Sequence, residues 1–214
     1  MVSPSNSVIW PVVHAERRAL LHDLRSLPAE GWRVTSLCEG WDVHDVVAHL
    51  IDSAKTTRWG FVRRMALARF DFDEDNARGV SKERGENPAA TLSAFGEILD
   101  FTRTPPAHLA TRLVEAFVHG EDIRVPLGIV RDYPVEHVAT ALRYQLATSA
   151  KLGGGRELAQ GFTLAATDTD LVHGSGPEVR GSALSLLLAV SGRVDTRNPL
   201  TGPGAASFGD QINR

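Results

Sequence analysis

Apolar residues recur every three or four positions through the first two thirds of the chain, a spacing that predicts amphipathic helices. Leu20, Leu21 and Leu24 mark the first of them, over residues 13–27. Pro11 is placed to open this helix, because the N–H that proline lacks has no helical partner in a first turn. This part of the chain is therefore expected to fold as a set of packed helices.

The second predicted helix has a clear start. Asp42 is a good N-cap residue, and Asp45 stands three residues later, which is a variant of the capping box. Apolar positions from Val43 to Ile51 follow with helical period, and the pattern resumes after Gly60. Further helices are predicted over residues 88–101, 109–123 and 134–151. The charged, glycine-containing stretch 70–87 is predicted to be a long surface connection.

The pattern changes at the three consecutive glycines 153–155, which predict a domain boundary or hinge. After them, residues 161–166 favour a strand, 167–176 a turn and a short second strand, and 181–190 a buried helix. The tail from Asn198 is rich in Gly, Pro, Ala and Ser and is predicted to be loop. We therefore expect an α+β protein, with a helical bundle over residues 1–152 and a small α/β domain over residues 156–214.

Composition narrows the classes of function. The net charge is −3, and the Lys and Arg residues are scattered, so nothing forms the basic stripe that nucleic acid requires. Cys38 is the single cysteine, which excludes an internal disulfide. The N-terminal residues lack the pattern of a secretory signal, and no apolar run approaches the ~20 residues that span a bilayer. We expect a cytoplasmic protein with no membrane partner.

The candidate chemistry begins with Glu115 and His119, which lie four residues apart in a predicted helix. This spacing places both side chains on one face, one turn apart, so both can reach one metal ion. By itself the pair also suits two solvated surface residues. His49 lies on the apolar side of another helix, beside Val46 and Leu50, where a core histidine bonded to a backbone carbonyl is the alternative.

The combination favours a metal site. The cores of helical bundles are a recurrent place for metal ligands contributed by facing helices. His49, Glu115 and His119 would give three protein ligands and one open position, which is typical of a catalytic zinc site. Another divalent metal stays open, because ligand type alone does not fix the metal.

Several nearby residues have roles that the pattern leaves open. Asp45, Asp52 and Asp122 are candidates to orient the ligating histidines, although capping explains Asp45 and solvation explains the others. Arg193, after the predicted buried helix, suits a substrate carboxylate or simply ends that helix. The remaining residues considered are expected to lie at the surface or at a helix edge, or to serve packing: His14, His22, His44, His108, His137 and Cys38. His173, which follows a predicted strand, could approach a site at a domain junction.

Two of these segments resemble a known family. The sequence SLCEGWDVHDVVAHL and the later RLVEAFVHGEDIRVPLG are similar to signature segments of the mycothiol-dependent maleylpyruvate isomerase family. Residues 161–193 resemble the small α/β domain, related to sterol-carrier folds, that many members carry. The resemblance extends from about His14 to Arg197. It implies an N-terminal up-down bundle of the DinB-like type followed by that small domain.

The resemblance also implies an activity. It implies a zinc site made by His49, Glu115 and His119, a small thiol cofactor such as mycothiol, and an arginine of the second domain, best matched by Arg193, that helps to bind substrate or to catalyse. The expected function is isomerisation or S-transfer on a small electrophile that carries a carboxylate. The alternatives are a metal-binding protein without turnover and, with less support, a zinc hydrolase. A homodimer is compatible with the sequence, and the substrate is not fixed by it.

Overall fold

The computed structural model describes residues 6–67 and 71–212. Its helices in the first part of the chain are α1 (Asn6–Arg25), α2 (Val43–Lys55), α3 (Arg58–Leu67), α4 (Phe72–Glu83), α5 (Pro88–Glu97) and α6 (Thr111–Arg124). Those that follow are α7 (Val135–Ala147), α8 (Ala183–Val190) and α9 (Ala205–Ile212). Three short strands form one mixed sheet, so the predicted α+β class is confirmed.

The contacts divide the chain into two compact units, the first ending at Val130 and the second beginning at Arg131. The division comes earlier in the chain than the glycine boundary predicted at 153–155. The reason is that α7 packs against α8 and so belongs with the second unit. The triple glycine instead makes a tight connection within that unit, where Gly154 and Gly155 lie so close to the backbone of Thr148 and Val190 that a side chain would clash.

In the first unit, α1 and α2 each pack against both α5 and α6. The predicted cap of α2 is confirmed: Asp42 accepts a hydrogen bond from the N–H of Asp45, and the Asp45 carboxylate accepts one from the N–H of Asp42. The helices bury one continuous core that includes Leu24, Trp32, Val46, Ile51, Phe95 and Ile123.

The prediction for the start of α1 was wrong. Pro11 lies inside the helix, which begins at Asn6. Ile9 and Trp10 are buried together with Val13, so the apolar face that packs into the unit starts before the proline. Burial of these side chains offsets the hydrogen bond that Pro11 cannot donate.

The prediction that residues 70–87 form a surface connection was also wrong, because α4 covers most of that stretch. This helix packs against α2 and α3. Ion pairs hold it: Arg64 of α3 donates to Asp75 of α4 at 2.8 Å and to Asp52 of α2 at 2.7 Å. At the other end Lys55 donates to Glu83 at 2.6 Å. A helix attached through charges lacks the apolar period that sequence reasoning requires.

The second unit holds the sheet, in the order β2 (Val172–Gly174), β1 (Thr163–Ala166), β3 (Glu178–Gly181). The central strand β1 is antiparallel to β2 and parallel to β3, with Leu164 paired to both His173 and Val179. The buried helix α8 packs on β1 and β3, as its uniformly apolar sequence predicted.

The prediction of loop from Asn198 onward was wrong in part, because α9 forms near the end of the chain. Phe208 is its fully buried anchor and makes an edge contact with Phe162, with ring centroids 5.1 Å apart. One large residue among Ala, Ser and Gly is too weak a pattern to predict a helix. Within the described ranges, no helix has the length and apolar character needed to cross a membrane.

Candidate functional site

The residues proposed as metal ligands from the sequence converge in the first unit. α2 carries His49 and α6 carries Glu115 and His119, and these two helices pack together. The rings of His49 and His119 meet edge to face, with centroids 4.8 Å apart. The ring of Trp41 also packs against the ring of His49, at 5.1 Å between centroids. The facing-helix arrangement expected from the sequence is therefore present.

The protonation of His49 suits a ligand. Burial, together with the adjacent ring of His119, lowers the pKa of His49 to about 3. The imidazole is therefore neutral at physiological pH and keeps a lone pair free for a Lewis acid. A neutral imidazole is also the form in which histidine binds metals.

Glu115 is held through one of its two carboxylate oxygens. The Ser53 hydroxyl donates to Oε2 of Glu115, and Nη2 of Arg112 lies 3.0 Å from the same atom. Arg112 also donates through Nη1 to the Ser53 hydroxyl at 2.9 Å, which closes a three-membered network. The contacts of Glu115 therefore involve Oε2, whereas Oε1 receives no hydrogen bond from the part of the chain that the structure describes.

The charge state of Glu115 follows from the same network. Burial is the largest single effect and raises the pKa of Glu115, but the charges of Arg112 and Arg17 and the hydrogen bond from Ser53 act together against it, and the pKa is lowered overall. Glu115 is thus ionised at neutral pH, and an ionised carboxylate is what a divalent cation requires.

A second buried arginine, Arg17, acts on the Glu115 network through its charge. Arg17 of α1 donates through Nη1 to the backbone oxygens of Ile98 and Phe101, at 3.1 and 2.8 Å, and its charge acts on Glu115. Nη2 of Arg17 and Nε of Arg112 are buried and have no hydrogen-bond partner among the described residues. The site therefore combines one carboxylate with two buried guanidinium groups.

Of the candidate orienting residues, only Asp122 contacts a proposed ligand. Its Oδ2 lies 2.8 Å from Nδ1 of His119, so Nε2 is the ring nitrogen left for a metal. Asp52 instead accepts from Arg64, and Asp45 caps α2, so neither supports His49.

The sequence reasoning missed Arg17, Ser53 and Arg112. Arg112 could have been predicted from the sequence, because it precedes Glu115 by three residues and so lies on the same helix face. Ser53 follows His49 by four residues on α2, which is an equally regular spacing. Arg17 is distant from Glu115 in sequence, and nothing local relates them.

The other candidate residues from the sequence lie outside the cluster of His49, Glu115 and His119. His44, in the first turn of α2, is buried: its Nε2 lies 2.6 Å from the Thr91 hydroxyl, and its ring packs edge-on against Trp32. His173 is exposed on β2, in the second unit. Cys38 packs against the core cluster of the first unit, as expected.

Arg193 lies in the second unit, just after α8. It is partly buried and donates to the backbone oxygen of Ser191. It lines a cavity of about 400 Å³ that α8, α9 and the segment between them enclose. The arginine is thus placed at a cavity of its own unit.

The three proposed ligands match a metal ion in donor type but are not arranged around one. Two imidazoles and one ionised carboxylate are donor types that zinc binds. Across residues 6–67 and 71–212, however, no group of three His, Cys, Asp or Glu side chains is arranged so that it could hold a metal ion. The donors are therefore of the right kind and in one place, with the Glu115 carboxylate engaged by Arg112 and Ser53.

The chain resembles known proteins in sequence and in fold. Residues 13–103 match the family model described as the mycothiol maleylpyruvate isomerase N-terminal domain. A crystal structure of mycothiol-dependent maleylpyruvate isomerase is 18% identical with a TM-score of 0.61, and that of a histidine-to-alanine mutant is 17% identical with a TM-score of 0.64. Each covers 94% of this chain and 96% of the other. At such identity the likeness shows a shared fold. No curated protein matches in sequence.

Proposed function

Because the chain carries an N-terminal domain of the mycothiol maleylpyruvate isomerase family, we propose that it is an enzyme that uses a metal ion and a small thiol. It acts on a small electrophile that bears a carboxylate, either as an isomerase or as an S-transferase. The observation that carries the proposal is the contact of His49 with His119 beside Glu115, inside the unit that contains the family match.

His49, Glu115 and His119 are the proposed metal ligands, and zinc is the preferred ion. Bound there, zinc would favour the thiolate form of a sulfur ligand, which is the nucleophilic form of a thiol. The chain's own residues prepare the position. Asp122 fixes the ring orientation of His119, while burial keeps His49 neutral.

The reaction proposed is addition to an activated carbon–carbon double bond. A carbon–sulfur bond forms as the π bond opens, and the former double bond can then rotate. In the isomerase, the carbon–sulfur bond breaks again and the double bond returns in the other geometry. In the transferase, the adduct takes up a proton and is kept. We propose that Arg193 holds the substrate carboxylate, since a guanidinium binds a carboxylate through two hydrogen bonds.

Metal analysis and a thiol titration test the proposal together. Purified protein should contain about one equivalent of metal and bind mycothiol, and removal of the metal should abolish thiol binding. His49→Ala should lose both properties, whereas His22→Ala, a change of an exposed histidine on α1, should keep both. Full metal occupancy without thiol affinity would favour the non-catalytic alternative. Ester or amide hydrolysis without added thiol would favour a hydrolase. The cytoplasmic location and a homodimer stay predictions.

A further inference from the structure

A second feature of the first unit is a cavity of about 440 Å³ beside the start of α1, the α2–α3 junction and the segment that leads into α6. The polar and aromatic residues that line it are Trp10, Thr57, Arg58, Thr102, Arg103 and Thr104. Its volume is within the range of small-molecule sites, roughly 300–1,000 Å³. Neither the metal ligands nor the proposed sulfur chemistry uses these residues.

The cavity wall carries two uncompensated positive charges. Arg58 and Arg103 both line it, and neither makes an ion pair with a carboxylate in the described ranges. The guanidinium of Arg103 lies over the Phe101 ring, 4.9 Å from its centroid, and this cation–π contact holds the Arg103 side chain in position. Two cations that converge on one recess favour an anionic ligand, and guanidinium groups match a carboxylate.

Threonine hydroxyl groups line the same cavity. Oγ1 of Thr104 is buried and has no hydrogen-bond partner among the described residues. Buried polar atoms of this kind are uncommon, because most find a partner in the protein or in a ligand. Thr57 accepts from the N–H of Gly60 at 3.1 Å and keeps its own O–H to donate. Trp10 is 8% exposed and forms an apolar wall.

The cavity adjoins the cluster around Glu115. Arg17 donates to the oxygen of Phe101, the residue directly before the Thr102–Thr104 stretch of the wall. Leu109, another lining residue, accepts from the N–H of Arg112 at 2.9 Å. The guanidinium of Arg17 and the backbone N–H of Arg112 are thus hydrogen-bonded to the cavity wall or to the residue next to it.

We propose that this cavity binds a small carboxylate that also carries hydroxyl groups. Arg58 and Arg103 receive the carboxylate, and the threonine hydroxyls pair with the ligand hydroxyls. Any part that this ligand plays in the proposed reaction rests on the proposed function, whereas its binding to the cavity does not.

Calorimetric titration of the full chain with gluconate tests the site, with glucose and acetate as partial ligands. Gluconate should bind more tightly than either, since only gluconate offers both kinds of group. The double change Arg58→Gln and Arg103→Gln should weaken gluconate at least tenfold. Thr104→Val should weaken it less. Arg63→Gln, which removes an exposed charge from the same helix without touching the cavity, should leave affinity unchanged.

The outcomes that overturn the site are equally defined. Absence of gluconate binding, equal affinity for glucose and gluconate, or unchanged affinity in the double variant each contradicts it. Metal content is measured on every sample, so that loss of gluconate binding can be distinguished from loss of the metal that the proposed function requires. Gluconate binding that persists in protein without thiol affinity would uphold the cavity and reject the thiol chemistry.

Discussion

Arg112 and Glu115 form a buried ion pair within one turn of α6, with Nη2 of Arg112 3.0 Å from Oε2 of Glu115. Both side chains are almost fully covered, at 5% and 10% exposure. Because the Ser53 hydroxyl takes the same oxygen, Oε1 is the atom available to a cation. The pair therefore sets which oxygen of the carboxylate can serve as a ligand.

This relationship predicts the effect of Arg112→Gln. Loss of the guanidinium leaves Glu115 poorly oriented and easier to protonate, so metal affinity should fall about 10–100-fold, as for other partners of metal ligands. Ser53→Ala should act in the same direction and more weakly. Competition with a chromophoric chelator measures the affinity, and the visible spectrum of the cobalt-substituted protein reports the ligand geometry. Unchanged affinity and spectrum in both variants would refute the positioning role.

Asp122→Asn should weaken metal binding without unfolding the first unit. The carboxylate of Asp122 lies 2.8 Å from Nδ1 of His119, and an amide holds the ring less firmly and withdraws a negative charge. We expect about 10–100-fold lower affinity with near-normal helicity by circular dichroism. Asp45→Asn, which changes a cap carboxylate on α2, serves as the control and should retain the metal.

Arg124→Met should destabilise the fold strongly. Arg124 is fully buried, donates to Asp23 at 2.8 Å and lies 3.8 Å from Glu16, so it ties α6 to α1. Its removal breaks the ion pair with Asp23 inside the unit, which should lower the free energy of unfolding by about 3–5 kcal/mol. Urea denaturation measures the loss. Arg18→Met breaks an exposed pair with Asp100 and should cost at most about 1 kcal/mol; a similar loss in both variants would contradict the prediction.

Arg84→Met should lower stability in a way that depends on pH. Arg84 pairs with Asp42 and Asp45 at the start of α2. Burial is the largest single effect and raises the pKa of Asp42, but the hydrogen bonds and charge of Arg84 act with the hydrogen bonds of Asp45 to bring the pKa below its ordinary 3.8. A lowered pKa contributes stability that is present above the ordinary value and is lost as the pH falls through the folded-state value.

The variant should therefore be about 1 kcal/mol less stable at neutral pH, with the difference narrowing below pH 3.8. Denaturation midpoints across the acid range give the measurement. Arg78→Met, which breaks an exposed pair with Glu74 on α4, should show a small and nearly constant effect. A difference for Arg84→Met that widens in acid would have the wrong sign.

Local signals predicted the framework of the site well. The cap formed by Asp42 and Asp45 identified the start of α2, and four-residue spacing placed Glu115 and His119 on one face. Each depends on residues within one helical turn, where spacing determines direction. The meeting of His49 with His119 followed because both lie on packed faces of adjacent helices.

The missed features depend on distant partners. α4 is attached through Asp75 and Glu83 to arginine and lysine side chains of other helices, so its sequence reads as polar. Arg17 reaches the site across α1 and the end of α5. No pattern within a helical turn relates such residues, because tertiary packing decides which charges meet.

The position of α7 has a practical consequence for the design of chimeras between this protein and its relatives. A chimera joined at the three glycines would take α7 from one parent and α8, its packing partner, from the other, so the two helix faces would no longer match. A junction after Val130 would transfer the whole second unit with its interior intact. Exchanging that whole unit between related proteins is therefore the better test of which part of the chain determines substrate selectivity.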